Sequence, residues 1–147
     1  EVRLKGAYIV KCTDVVKNDD GSIKEIHCTV EFDTRSGTPG ADRKVKGTLH
    51  WVCADTAVDV ETRLYDYLIS PDDHDDGRDF MEKVNTHSLT VMKSKAEPEI
   101  SKYHVGDRFQ FLRKGYFIID QDTTEDHMVC NRIVGLRDTW SKVKNKQ

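Results

Sequence analysis

Cationic and amide side chains on or beside predicted β-strands are the residues of this 147-residue chain whose chemistry could serve a function. They fall into three pairs along the chain: Arg3 with Lys5, Lys44 with Lys46, and Gln110 with Arg113. The planar fork of an arginine matches phosphate oxygens and base edges in two-point contacts, and a glutamine amide can donate and accept at once. Such side chains read the splayed bases of single-stranded RNA. Ordinary solvated surface charges are the alternative interpretation.

Two H-x-x-C pairs, His50 with Cys53 and His127 with Cys130, raise the question of a zinc site. Four nitrogen and sulfur ligands would suit tetrahedral zinc. Both pairs lie in strand patterns, however, where residues i and i+3 point to opposite faces. The acidic stretch SPDDHDDG also lacks the ligand spacing of an EF-hand. We therefore expect no metal site.

Motifs of catalysis are missing from the sequence, which has no G-x-S-x-G, no P-loop and no H-E-x-x-H. We therefore expect no catalytic residues.

The four cysteines are far apart and form no C-x-x-C, which predicts reduced, buried thiols in a cytoplasmic protein. The sequence has no apolar run long enough to span a bilayer and no secretory signal, so no membrane partner is expected.

β-Strands are the elements that must position these side chains. The alternation of apolar and polar residues along the sequence predicts an all-β fold of short strands. The central example is KVKGTLHWV, in which Val45, Leu49 and Trp51 share one face of a strand over 44–52. Further strands are predicted over 1–13, 23–33, 58–69, 87–96, 108–112, 116–120 and 127–134. Asn18-Asp19-Asp20-Gly21 predicts a hairpin turn, and 79–85 could form one short helix.

The net charge of −3 argues against a nucleic-acid partner, but the charge is unevenly distributed. Residues 52–100 hold 5 Lys and Arg against 12 Asp and Glu. Residues 1–51 hold 9 Lys and Arg against 8 Asp and Glu, and residues 101–147 hold 9 Lys and Arg against 6 Asp and Glu. The acid is concentrated in the middle, so a basic face elsewhere on the molecule is compatible with the total.

Five segments, in order along almost the whole chain, resemble the carboxy-terminal part of the bacterial glutaminyl-tRNA synthetases. They are EVRLKGAYIVKC, RKVKGTLHWV, ETRLYDYLIS, FQFLRKGYFIID and NRIVGLRDTWSK. The resemblance implies two small β-barrels, similar to a ribosomal protein, that bind an anticodon loop. It implies a first barrel of residues 1–53 with 127–147, lacking its amino-terminal start, and a second barrel of 54–126.

The resemblance also implies roles for individual residues. Arg3 matches a family arginine that contacts the first anticodon base, and Lys5 replaces a second arginine, so the two-point fork is lost there. Gln110 and Arg113 match the pocket for the central uracil. Arg137 also matches, as an RNA contact or as an ion-pair partner of Asp138. Lys44 and Lys46 are expected to contact the RNA backbone.

The chain is expected to be a binding fragment of an enzyme that joins glutamine to tRNA(Gln) with ATP and Mg²⁺. The catalytic domain would lie upstream, so the fragment itself would be inactive and would need no cofactor. Expected partners are the anticodon stem-loop and the catalytic domain, with no DNA. Three alternatives stay open: a eukaryotic or archaeal type of glutamyl-tRNA synthetase, a stand-alone barrel that binds ribosomal RNA, and a protein-interaction module.

Overall fold

The computed structural model describes residues 1–70 and 77–136 and divides the chain into two compact units. The first unit is Glu1–Trp51, and the second begins at Val52. Most of the predicted acidic loop, the predicted site residue Arg137 and the chain beyond it lie outside the described residues.

The first unit contains a four-stranded sheet with the strand order β3-β2-β1-β4. Its strands are β1 (Val2–Leu4), β2 (Ile9–Lys17), β3 (Ile23–Glu31) and β4 (Thr48–Leu49). The predicted turn between β2 and β3 is confirmed, because the Gly21 amide donates to the Asn18 carbonyl at 2.9 Å. Gly21 takes a φ of 82°, a conformation that glycine adopts without steric cost.

Two predicted strands of the first unit are shorter than the alternation indicated. The strand over 1–13 is broken by a turn after β1, where the Leu4 amide donates to the Tyr8 carbonyl at 2.9 Å. The strand over 44–52 is reduced to Thr48–Leu49, which pairs in parallel with β1. A strand extends only as far as its partner supplies hydrogen bonds, and β1 has three residues.

The apolar residues that alternate along 23–33, which strand periodicity predicts to face a core, are exposed. Ile26 and Val30 are 54% and 40% exposed, and Phe32, just after the strand, is 73% exposed. Cys12, Cys28 and Cys53 are also exposed, so the prediction of buried thiols is wrong for three of the four cysteines. Because β1 pairs only with the first residues of β2, most of the β2–β3 hairpin is a two-stranded ribbon in the described part of the chain.

The second unit contains a five-stranded sheet with the strand order β6-β5-β9-β8-β7. Its strands are β5 (Val58–Tyr65), β6 (Leu89–Ala96), β7 (Arg108–Phe111), β8 (Gly115–Ile119) and β9 (Met128–Val134). The predicted helix is confirmed as α1 (Phe80–Lys83), and a 3₁₀ helix spans Pro98–Lys102. The predicted hairpin of β7 with β8 is confirmed by antiparallel pairing from Arg108–Ile118 to Phe111–Gly115.

The core of the second unit is formed by alternate residues of these strands. Its buried members are Val60, Ala96, Ile100, Phe117, Ile119 and Cys130. Three phenylalanines of the hairpin lie together, since the Phe117 ring is 4.9 Å from Phe111 and 6.3 Å from Phe109. Phe109 and Phe111 alternate with the exposed residues Arg108 and Gln110, so β7 has one core face and one solvent face.

The described end of the chain differs from the predicted domain boundaries. We expected 127–147 to join residues 1–53, but β9 pairs in parallel with β5 and antiparallel with β8. The short connection from Asp120 to His127 returns the chain directly beside β8, where Val129 and Cys130 are fully buried. Strand β9 therefore belongs to the second unit.

Strands dominate both units, which confirms the all-β prediction. Closure of each sheet into a barrel stays a prediction. Among the described residues, none of the helices has the length and apolar character needed to cross a membrane.

Candidate nucleic-acid interface

Arg3 lies on β1, and its guanidinium donates to three backbone carbonyls of one loop. Nη1 donates to the Thr34 oxygen at 2.8 Å, and Nη2 donates to the oxygens of Ala41 at 2.8 Å and Arg43 at 3.0 Å. The residue is half-buried. Hydrogen bonds from a charged donor are stronger than neutral ones, so Arg3 holds the loop of residues 34–43 against β1.

Arg43, the last residue of the same loop, anchors the loop through its own side chain. Its guanidinium pairs with Glu1 at 2.7 Å and with both carboxylate oxygens of Glu31. The hydrogen bond from Arg43 lowers the pKa of the Glu1 carboxyl, and the bonds to Glu31 and Glu1 raise the pKa of Arg43. The path of the loop toward Lys44 and Lys46 is therefore set by two arginines.

Lys5 lies in the turn after β1, and its backbone is held on both sides. Its amide donates to the Leu49 carbonyl at 2.9 Å, and its carbonyl accepts from the Trp51 indole at 3.0 Å. The Lys5 side chain is exposed. Because the turn separates it from β1, Lys5 does not share a strand face with Arg3, as it would in the continuous strand predicted over 1–13.

Lys44 and Lys46 are exposed and line one open depression of about 540 Å³ in the first unit. Its full lining is Glu1, Lys11, Cys12, Lys44, Val45 and Lys46. We call this feature the basic depression. The lining thus includes three lysines and one acidic residue, Glu1, whose carboxylate is paired with Arg43. The balance favours a polyanion such as an RNA backbone.

Gln110 lies on the exposed side of the β7–β8 hairpin of the second unit. Its Cα partner on β8 is Tyr116, whose side chain is 46% exposed. Arg108 lies two residues before Gln110, on the same side of β7, and pairs with Ile118. We call this side, made of Arg108, Gln110, Tyr116 and Ile118, the hairpin face.

Arg113 lies in the tight turn of the same hairpin, and its side chain is exposed. The Lys114 amide donates to the Phe111 carbonyl at 2.9 Å, which makes Arg113 the third residue of a β-turn. Its φ is 64°, the only positive φ of a non-glycine residue among those described. Glycine or asparagine usually occupies such a position, so an arginine there carries a steric cost.

Gly115 begins β8 at a close approach to β9. A Cβ atom there would lie 2.6 Å from the Val134 carbonyl oxygen, and the residue has a φ of 147°. Next to it the pairing with β9 shifts register, from Tyr116–Val134 to Phe117–Arg132, so Ile133 is an extra residue of β9. Such bulges re-aim neighbouring side chains. The positions of Arg113 and Tyr116 are therefore set by backbone geometry on both sides of Gly115.

A second charged cluster lies around Arg63 on β5. Its guanidinium pairs with Glu61 at 2.7 Å and Asp122 at 2.6 Å, and these hydrogen bonds raise its pKa. His127 lies 3.3 Å from the second oxygen of Glu61. Asp120 is a third carboxylate near Arg63, at 3.7 Å, so the cluster ties β5 to the connection between β8 and β9 and carries more acidic than basic groups.

The two H-x-x-C pairs do not form a metal site among the described residues. Cys130 is fully buried, and burial raises the pKa of its thiol to about 11. His127, three residues earlier, is 54% exposed and faces Glu61. Across residues 1–70 and 77–136, no group of three or more His, Cys, Asp and Glu side chains could hold a metal ion.

The structure therefore sorts the predicted site residues into two sets. Arg3, Lys5, Lys44 and Lys46 lie in the first unit, and Gln110 and Arg113 lie on one hairpin of the second. Sequence reasoning missed two residues of these surfaces, Lys11 and Tyr116. Lys11 is one of several basic residues in the predicted strand over 1–13, and the signal for Tyr116 is its place opposite Gln110 across a short turn.

Comparison with known proteins gives two matching family models, and both are described as the anti-codon binding domain of class I tRNA synthetases (E and Q). One matches residues 1–31 and the other residues 48–120. Together they include the strands β1 to β8.

Curated relatives are similar over nearly the full length of the chain. The glutamine–tRNA ligase of Rhodopirellula baltica is 45% identical over 99% of this chain. The ligases of Clostridium perfringens and Nitrosomonas europaea are 46% and 49% identical over 95% and 97% of it. The chain spans only 25–26% of the length of these relatives. The two family matches and the identity over nearly the whole chain show that the chain belongs to the anticodon-binding domains of the class I tRNA synthetases of the E and Q group.

Proposed function

We propose that this chain recognises the anticodon loop of tRNA(Gln) as part of a glutaminyl-tRNA synthetase. The observation that carries the proposal is the hairpin of β7 and β8, which presents Gln110 and Arg113 to solvent from a rigid sheet. Identities of 45–49% to three glutamine–tRNA ligases support glutamine over glutamate as the amino acid of the parent enzyme.

The mechanism follows from the chemistry of the two sets of residues. The anticodon bases unstack, and the central uracil is read by Gln110 and Arg113. The Gln110 amide makes no hydrogen bond to any residue that the structure describes, so both its donor and its acceptor can face a base edge. A wrong base would leave these groups unpaired on binding, which is the source of discrimination.

Lys5 and the basic depression supply contacts to the first base and to the RNA backbone. Lys5 is exposed and can reach a base as a point charge, without the two-point geometry of arginine. Lys44 and Lys46 position the loop through its phosphates, so affinity falls as salt rises. Arg3, whose guanidinium donates to three carbonyls, would need to exchange some of these bonds to contact the first base.

Ligation of glutamine to tRNA, with ATP and Mg²⁺, we assign to the catalytic domain of the parent enzyme, as the resemblance implies. The catalytic domain is then the second partner of this chain. Cytoplasmic localisation follows as part of the same proposal, because translation supplies the tRNA.

The test is equilibrium binding of the 147-residue chain to an anticodon arm with a central uracil and to an otherwise identical arm with a central cytosine. We expect Arg113→Ala to weaken binding of the uracil arm by about tenfold or more and to change binding of the cytosine arm much less. Lys114→Ala, in the same turn, is the matched control and should leave the ratio unchanged.

Equal losses on the two arms would make Arg113 a phosphate contact and overturn its role as a base reader. Tighter binding to a ribosomal RNA hairpin than to either arm would favour the stand-alone ribosomal alternative. Aminoacylation of tRNA(Glu) by the parent enzyme would favour the glutamyl alternative.

A further inference from the structure

The hairpin face carries an aromatic ring that the proposed function does not use. Tyr116 and Gln110 are direct Cα partners in an antiparallel pair, so their side chains leave the sheet on the same side. Cβ atoms of such pairs lie about 4.5–5.5 Å apart. The Tyr116 ring is therefore beside the amide that is proposed to read the central base, and it is 46% exposed.

The exposure of Tyr116 is built into the strand. Its neighbour Phe117 is 3% exposed and packs on Phe111, so the two-residue period of β8 directs Tyr116 away from the core. The close approach of Gly115 to Val134 fixes the backbone immediately before it. The ring cannot turn inward without breaking the pairing of β8 with β9.

The neighbours of Tyr116 complete the set of groups that an unstacked nucleotide needs. Arg108 offers a cation, Gln110 offers a donor and an acceptor, and Tyr116 offers a flat apolar face. Every base has a π-face, and single-stranded RNA is held by stacking on aromatic rings while polar side chains read the base edge.

We propose that the Tyr116 ring is the platform on which the base read by Gln110 stacks. The inference rests on the proposed function and assigns a further residue to the same surface. Stacking supplies affinity for a base of any identity, and Gln110 with Arg113 supplies the choice of uracil. The contact uses the ring face, so the phenol hydroxyl is not required.

The experiment measures binding of the 147-residue chain to the uracil arm and to the same arm with an abasic residue at the central position. On the uracil arm, Tyr116→Ala and Tyr116→Leu should each weaken binding by about tenfold, within the range known for base–aromatic stacks. Tyr116→Phe should stay within about twofold of wild type, because it keeps the ring. On the abasic arm all four proteins should bind alike.

Tyr116→Leu keeps an apolar side chain on the strand, and thermal unfolding followed by circular dichroism verifies that each variant folds. Phe80→Ala removes another exposed ring of the same unit, 57% exposed on α1, and should bind both arms like wild type. Unchanged binding of Tyr116→Leu to the uracil arm, or an equal loss on the abasic arm, overturns the inference and leaves the proposed function standing. Failure of wild-type protein to bind the uracil arm overturns both.

Discussion

The first unit and the second unit use arginine in opposite ways. In the first unit, Arg3 donates to three carbonyls of the loop 34–43 and is half-buried. In the second unit, Arg113 lies exposed at the tip of a hairpin, in a backbone conformation that glycine would adopt more easily. Residue type alone therefore does not identify an RNA contact. What separates the two arginines is their burial and their backbone conformation, which only the fold sets.

The same contrast extends to the neighbouring cations. In the first unit, the structural arginines Arg3 and Arg43 position a loop that ends at Lys44 and Lys46, and the lysines are the exposed charges. In the second unit, Arg63 is paired with acidic side chains, and exposed polar side chains lie on the hairpin face. Each unit thus has arginine contacts that tie its own chain together and, elsewhere among the described residues, exposed polar side chains.

The variant with the largest expected effect tests whether the Arg3 side chain stabilises the fold. Arg3→Ala leaves three carbonyl oxygens without their charged donor, and we expect a loss of about 3 kcal/mol in the free energy of unfolding of the first unit. Urea unfolding followed by Trp51 fluorescence, in a Trp140→Phe background, measures it.

Lys5→Ala is the control for Arg3→Ala and should change stability by less than about 0.5 kcal/mol, because only its side chain, which is exposed, is removed. An Arg3→Ala protein that keeps its stability but no longer binds the anticodon arm would break the comparison, since Arg3 would then be used as Arg113 is.

The next effect tests whether backbone geometry sets the hairpin face. Gly115→Ala places a Cβ atom 2.6 Å from the Val134 oxygen at a φ of 147°, so we expect a loss of about 2 kcal/mol in the free energy of unfolding. Gly135→Ala is the matched control, because no described atom lies within 4 Å of its Cβ position. Equal melting temperatures for the two variants would contradict the close approach.

A smaller effect concerns the turn itself. Arg113→Gly relieves a positive φ of 64°, and the gain is partly offset by the greater freedom of glycine in the unfolded chain. We expect a net gain of about 0.5 kcal/mol in stability together with weaker binding of the uracil arm. Lys114→Gly relieves no positive φ and should gain no stability. A loss of stability in Arg113→Gly would show that its side chain stabilises the fold, as that of Arg3 does.

The smallest effect concerns the basic depression. Lys44→Ala should reduce the slope of log binding constant against log salt by about 0.7, the contribution of one phosphate contact to single-stranded RNA. Lys11→Ala should act in the same way, although sequence reasoning did not assign it. Lys24→Ala removes an exposed lysine of β3 outside the depression and should leave the slope unchanged. Identical slopes for all three variants would reject the depression as an RNA contact.

Local patterns predicted the parts of this fold in which neighbouring residues supply the pairing partner. The turn at Asn18 to Gly21 and the hairpin of β7 with β8 are confirmed because each joins two strands close in sequence. The prediction of a strand over 44–52 is wrong in length, because the partner of this segment is β1, more than 40 residues away and only three residues long. Alternation reports a preference for an extended chain, and it does not report how much partner strand is present.

The sequence by itself determined the all-β class, the family, and the residues that could contact RNA, because side-chain period, turn residues and long shared segments are local properties. Only the tertiary structure decided which of those residues are available. Arg3 faces three carbonyls from residues 31 to 40 positions away, β9 joins the second sheet, and Tyr116 stands opposite Gln110. These outcomes depend on which groups meet across the fold, because residues far apart in sequence come into contact only when the chain is folded.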